Sequence, residues 1–216
     1  MTKPFPYQIR GARMIHRFNG RVLLSDEMGL GKTLQSLLYV HRHPDIKPII
    51  VVCPASLKWN WSKEAVIHFG MRSEILESMT PPKMGIQTPH QLVIINYDIL
   101  GPWISFIKEI KPRLIILDEC HFISNPNSKR TKYVTELCQD VPHVIALSGT
   151  PLTNRPIELY PVLKILKPDL FPSRRQYASR YCAPRRVPWG DGWDFRGAIH
   201  LEELHTTLKA NVMIRR

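Results

Sequence analysis

Leu23 to Thr33 reads Leu-Leu-Ser-Asp-Glu-Met-Gly-Leu-Gly-Lys-Thr, and this stretch decides the fold. The apolar run Val22-Leu23-Leu24 predicts a buried strand, and Leu34, Leu37 and Leu38 beyond the loop carry helical spacing. Strand, glycine loop, Lys-Thr and helix form the arrangement that cradles phosphates. Gly29 and Gly31 let the backbone curl so that its N–H groups point inward. Lys32 then reaches the β- and γ-phosphates, and the Thr33 hydroxyl holds Mg²⁺. The general pattern opens on a further glycine, and Asp26 stands there instead. An ordinary glycine turn capping a helix gives the same local signal, so the decision rests on the rest of the chain.

Four more segments share one plan. Ile49-Ile50-Val51-Val52 runs into Cys53-Pro54-Ala55-Ser56-Leu57, and Leu92-Val93-Ile94-Ile95 into Asn96-Tyr97-Asp98. Leu114-Ile115-Ile116-Leu117 runs into Asp118-Glu119-Cys120-His121, and Val144-Ile145-Ala146-Leu147 into Ser148-Gly149-Thr150-Pro151. Each apolar run is continuous rather than alternating, the pattern of strands covered on both faces of a parallel sheet. Helical spacing lies between most of them, as in Trp61, Ala65 and Phe69, or Trp103, Phe106, Ile107 and Ile110. Strands alternating with helices predict a three-layer α/β domain. In every case the reactive-looking residues follow the strand, and the carboxyl ends of an open parallel sheet are where ligands bind. Five strands thus bring their special residues to a single cleft.

The totals narrow the partners. The chain has 216 residues, enough for one domain with a substantial core, and carries a net charge of +12. A pI near 9.8 suits a polyanionic partner, of which nucleic acid is the commonest. No run reaches membrane-span length, and Met1-Thr2-Lys3-Pro4-Phe5-Pro6 lacks the apolar core of a signal peptide. Cys53, Cys120, Cys138 and Cys182 form no C-x-x-C pair, which argues against a zinc site and a disulfide framework and fits a reducing compartment.

Asp118-Glu119 after an apolar strand is the second half that a nucleoside triphosphatase needs. Asp118 holds Mg²⁺ in this reading, through water, and Glu119 orients and deprotonates the attacking water. Acids at strand ends also simply cap helices; here they follow a Gly-x-Gly-Lys-Thr loop within one domain's length. Gln8, ahead of the loop, offers an amide donor and acceptor to an adenine edge.

Asp26 to Thr33, Asp118 to His121 and Leu147-Ser148-Gly149-Thr150-Pro151-Leu152-Thr153-Asn154 together resemble the motifs of Swi/Snf-type ATPases, members of superfamily-two helicases and translocases. That family typically reads Asp-Glu-Met-Gly-Leu-Gly-Lys, so Asp26 is in keeping with it. The resemblance covers essentially the whole chain and implies a RecA-like P-loop lobe with a central, mostly parallel sheet. It implies ATP and Mg²⁺ as ligands, with Met28, Gly29, Leu30, Gly31, Lys32 and Thr33 around the phosphates. Tyr7-Gln8 is similar to the adenine-reading motif. Pro54-Ala55-Ser56-Leu57 and Asn96-Tyr97-Asp98 are similar to DNA-facing motifs, which puts Ser56, Lys58, Tyr97 and Arg155 against the sugar-phosphate backbone. Such contacts are independent of sequence. Ser148 and Thr150 would couple the γ-phosphate to strand contacts, and His121 would sense the nucleotide. Arg180-Tyr181-Cys182, Trp189 to Phe195 and Leu201-Glu202-Glu203-Leu204 resemble the annealing-helicase (HARP-like) branch.

Beyond Lys167 the character changes. Prolines interrupt regular structure, and Arg174, Arg175, Arg180, Arg185 and Arg186 form a basic stretch. A short helix is expected over Arg174 to Tyr181, an irregular loop over Cys182 to Gly197, and a last helix through Leu201, Leu204, Leu208 and Val212 that returns to the sheet. Residues 1–166 are read as the ATP-binding lobe and 167–216 as a basic helical appendage. A full motor of the family has a second lobe whose arginines complete the ATP site, and its motifs are absent here. The chain is expected to work on double-stranded or branched DNA, in the cytoplasm, nucleoid or nucleus, with a second RecA-like lobe in cis or in trans and no membrane. The rival readings are a non-catalytic nucleic-acid-binding module, the motor piece of a restriction enzyme and a small-molecule kinase. The kinase leaves Asp118 to His121, Ser148 to Thr150 and the basic charge without a role.

Overall fold

A computed structural model describes residues 3–81, 91–149, 155–187 and 192–216. Helix α1 (Pro6–Arg17) precedes β1 (Arg21–Leu24), α2 (Lys32–Arg42) and β2 (Ile49–Cys53). Then come α3 (Lys58–Phe69), β3 (Ser73–Ile75), β4 (Leu92–Asn96), α4 (Leu100–Glu109), β5 (Leu114–Leu117), α5 (Lys129–Cys138) and β6 (His143–Leu147). The C-terminal part holds α6 (Tyr160–Leu166), α7 (Arg174–Tyr181), a short ladder of β7 (Arg185–Arg186) with β8 (Trp193–Asp194), α8 (Leu201–Asn211) and β9 (Met213–Ile214).

Seven strands form one sheet in the order β3-β4-β2-β5-β6-β1-β9, and its pairings are parallel. The five expected strands fall where the apolar runs placed them. Because successive side chains alternate across a strand, each continuous run feeds two cores at once. Ile50, Val52, Ile115, Leu117, Val144 and Ala146 pack beneath α4, α5 and the C-terminal helices. Ile49, Val51, Leu114, Ile116, Ile145 and Leu147 pack beneath α1, α2 and α3.

The two additional strands lie at the sheet's edges. Ser73-Glu74-Ile75 is a three-residue strand without an apolar run to announce it. Met213 and Ile214 pair with Leu23 and Leu24, so the last helix returns to the sheet and hands over directly to a strand beside the phosphate loop. Leu204, Leu208, Val212 and Met213 are buried in the same core as β5 and β6. Arg21 fastens α6 to the sheet: its guanidinium donates to the carbonyls of Leu166 at 3.1 Å and Val141 at 2.7 Å, and to that of Ile165. A cation on the last carbonyls of a helix also suits the helix dipole.

The helix Arg174–Tyr181 is present as expected, and the following segment carries the two-residue ladder. Of the basic stretch, Arg180 pairs with Glu203 at 2.6 Å, while Arg185 and Arg186 are exposed and Arg186 lies over the Trp193 ring. Trp189 and its neighbours to Asp191 lie outside the described residues. Among the described residues no helix is long and apolar enough to cross a membrane.

Candidate nucleotide site and its surroundings

β1 ends at Leu24 and the chain turns through Ser25 to Gly31 before α2 begins. Gly29 and Gly31 have φ of +83° and +66°, the left-handed region in which a Cβ is costly. At Gly31 there is no room either, since a Cβ would lie 2.5 Å from Gln8 Nε2. Helix α2 starts at Lys32 with no side-chain cap and no acid in its first turn. A cation at the positive end of a helix dipole is disfavoured unless an anion joins it. The Lys32 ammonium meanwhile donates to the Asp26 carbonyl at 2.8 Å and the Glu27 carbonyl at 3.2 Å. Uncapped N–H groups, a neighbouring ammonium and a half-buried Thr33 fit a magnesium-bound polyphosphate. Met28 stands 80% exposed above the loop, and Leu30 is half-buried.

Gln8 is buried against this loop. Its Oε1 accepts the Phe5 N–H at 2.9 Å, so one acceptor site is committed to starting α1. The amide nitrogen faces Gly31.

Asp26, the residue that replaces the pattern's opening glycine, is fully buried. Gln35 Nε2 donates to Oδ2 at 3.0 Å, and Arg216 Nη2 sits 3.0 Å from the same oxygen. Arg216 also donates to Gln35 Oε1 at 2.9 Å and to the Tyr7 carbonyl. The phosphate loop, α1, α2 and the residues after β9 thereby share one polar network. Asp26 is buried but Arg216 is partly exposed, so losing the guanidinium leaves one buried carboxylate short of a partner, at a cost of about 1–3 kcal/mol. Arg216→Ala is therefore expected to lower the melting temperature by roughly 2–12 °C, with part of the loss recovered by adding Asp26→Asn. A melting curve superimposable on that of the unchanged protein contradicts this reading.

Asp118 follows β5 and is held on three sides. Trp61 Nε1 donates to Oδ2 at 2.8 Å, the Glu119 N–H donates to Oδ1 at 2.9 Å, and the Tyr97 hydroxyl donates to the Asp118 carbonyl at 2.8 Å. Burial pushes the Asp118 carboxyl above its ordinary pKa; the Trp61 N–H and the Lys32 charge pull the other way. Glu119 sits in the left-handed region at φ 47° and ψ 55°, which non-glycine residues enter at a cost of about 1–3 kcal/mol and mostly at functional sites. His121 Nδ1 lies 3.2 Å from Glu119 Oε2. Strand β6 lies between β5 and β1, and a Cβ built on Gly149 after it would be 3.9 Å from Lys32 Nζ. The structure thus brings Lys32, Thr33, Asp118, Glu119, His121, Gln8 and the buried Ser148 to one edge of the sheet. Thr150, with Pro151 to Asn154, lies outside the described residues.

Two expected DNA contacts are corrected by the geometry. Lys58 is buried, and its ammonium donates to the Leu76 carbonyl at 3.0 Å, answering a backbone acceptor at the end of edge strand β3. Tyr97 is 2% exposed and its ring stacks on Phe122 at 5.5 Å, so its hydroxyl serves Asp118 and not the solvent side. Ser56 is exposed, as expected. Arg155 is also exposed and lies 3.5 Å from Glu158. Trp61 packs in the core at 0% exposure. Its bond to Asp118 went unpredicted, because nothing in the sequence separates an indole that only packs from one that also donates to a carboxylate. Arg216 gave no signal either: it pairs with Asp26 across 190 residues.

A parallel sheet with a glycine loop after β1 and an acidic pair after β5 defines a P-loop lobe. The profile of the SNF2-related domain matches residues 7–216, and this chain belongs to that family. It is 35% identical over 215 residues to the SWI/SNF-related matrix-associated actin-dependent regulator of chromatin subfamily A-like protein 1 of Xenopus laevis, covering 98% of this chain and 22% of that protein. It is 32% identical over 223 residues to the DNA annealing helicase and endonuclease ZRANB3 of Mus musculus, covering 100% of this chain and 21% of that protein. Both bear out the likeness to the annealing-helicase (HARP-like) branch. Among solved structures, the Sulfolobus solfataricus SWI2/SNF2 ATPase core in complex with dsDNA is similar over 100% of this chain and 44% of that one, with a TM-score of 0.81 and 27% identity. The RecA-like fold read from the sequence is the fold observed.

Proposed function

We propose that the chain is the ATP-binding first lobe of a DNA-dependent ATPase that translocates on or remodels duplex DNA and is weakly active without its second lobe. The observation that carries this is the meeting, at one sheet edge, of an uncapped helix start bearing Lys32 with the Asp118–Glu119 pair across Gly149. Lys32 would hold the β- and γ-phosphates, and Thr33 with Asp118 would hold Mg²⁺, which supplies charge neutralisation at those phosphates. Glu119 would take a proton from the attacking water, steered by His121. Gln8 would meet the adenine through its amide nitrogen. Ser56 and Arg155 would face the DNA backbone, and Ser148 and Thr150 would relay between the two ligands. In this reading residues 1–166 form the lobe proper and 167–216 the appendage leading towards a second lobe, and the protein works where DNA is, in the nucleus or its bacterial equivalent.

The +12 charge and a relative solved on dsDNA support duplex DNA as the activating partner. With a second lobe joined to the chain, ATP hydrolysis is expected to rise when duplex DNA is added, and to lose that rise as salt increases, because phosphate contacts release counterions. Hydrolysis indifferent to DNA at every salt concentration would leave an ATPase without this partner.

A further inference from the structure

The residue proposed to hold the metal is gripped from the two segments whose sequences resemble DNA-facing motifs. Helix α3 continues directly from Pro54-Ala55-Ser56-Leu57, and its fourth residue, Trp61, donates to Asp118 Oδ2 at 2.8 Å. Tyr97 lies in Asn96-Tyr97-Asp98 at the end of β4, and its hydroxyl donates to the Asp118 carbonyl at 2.8 Å. Both rings are buried, at 0% and 2% exposure. Each is followed or preceded by an exposed residue of the same segment: Ser56 ahead of Trp61, and Asp98 directly after Tyr97.

Packing alone does not call for these polar atoms. Phenylalanine fills the space of the Tyr97 ring, though not that of the larger Trp61 indole, and an indole N–H or phenol taken out of water must find an acceptor. Both find the same residue. The bond from Trp61 is charge-assisted, which makes it the stronger and more directional of the two. Glu119 N–H occupies Oδ1, so three donors fix where the remaining lone pairs of Asp118 point. Helix α3 connects the Trp61 donor to Ser56, and the end of β4 connects the Tyr97 donor to Asp98.

We infer that Trp61 and Tyr97 are positioning residues that couple duplex DNA at the segments after β2 and β4 to Mg²⁺-nucleotide at Asp118. This rests on the function proposed above. Coupling of this kind is reciprocal: DNA changes the affinity for Mg²⁺-nucleotide by the same factor as Mg²⁺-nucleotide changes the affinity for DNA.

The test measures duplex-DNA affinity of the whole chain with and without Mg²⁺ and a non-hydrolysable ATP analogue, for the unchanged protein, Trp61→Phe and Tyr97→Phe. The unchanged protein is expected to show a shift on the order of 5-fold or more, and each variant a shift collapsed towards 1. The ratio divides out any loss of affinity common to both states, which a purely structural role would produce. Should Trp61→Phe fail to fold by circular dichroism, Tyr97→Phe carries the test, since it removes one hydroxyl and keeps the ring on Phe122. Variants that keep the full shift overturn the inference, as does an unchanged protein that binds both ligands without any shift. An unchanged protein that binds no nucleotide overturns the proposed function itself, and the inference falls with it.

Discussion

In the chain joined to a second lobe, replacing Glu119 by Gln is expected to lower ATP turnover by about 10²–10⁴-fold, the usual worth of a positioned general base. Glutamine keeps the shape and the approach to His121 but cannot take a proton from water. Nucleotide should still bind, because the phosphates are held by Lys32 and the start of α2, not by Glu119. The left-handed backbone at Glu119 turns its side chain away from the line of β5, and the neighbouring Asp118 is fixed by its own three bonds. One of those bonds comes from the Glu119 backbone N–H, which glutamine keeps, so changing the Glu119 side chain leaves Asp118 in place. Phosphate release and analogue binding measured on the same preparation separate the two effects. A variant that turns over at the unchanged rate would remove Glu119 from the chemistry.

The second large effect concerns what lies across the cleft. This chain corresponds to 44% of the archaeal SWI2/SNF2 core, and the motor's second lobe is the expected source of arginines that neutralise charge in the transition state. Such an arginine is worth about 10³–10⁵ in rate. Adding the second lobe of a relative in trans, or joining it to the chain, is expected to raise turnover by ~10³ or more. The Asp26–Arg216 network ties the strand at the end of this chain to the phosphate loop, so the joined form should outperform the mixture. Phosphate release under matched nucleotide checks it; equal rates with and without the added lobe would mean the site is complete as it stands.

Much of this was legible in the residues. The five apolar runs predicted five buried strands because continuous runs demand cover on both faces, and the sheet supplies it. The phosphate loop was legible only together with the acidic pair after the fourth apolar run, since a glycine turn capping a helix gives the same local signal. Ser73 to Ile75 and Met213 to Ile214 were not, since strands of two or three residues are held by their neighbours and carry no period of their own. The errors at Lys58 and Tyr97 share a cause. A motif gives the place of a residue in the chain but not the direction of its side chain, and a lysine at a helix start can point inward when a backbone carbonyl waits there. Asp26 shows the converse. It looked like a departure from the phosphate pattern, and in three dimensions it is the buried anchor of Gln35 and Arg216.

The most direct test of the central claim is Mg²⁺-dependent binding of a fluorescent ATP analogue to this chain, beside Lys32→Ala. The phosphate-site reading requires saturable binding by the unchanged protein, weakened on the order of 100-fold by the substitution, as loss of a charged hydrogen-bonding partner of about 2–3 kcal/mol implies. Equal binding by both proteins, or none by either, would contradict a nucleotide site at this loop.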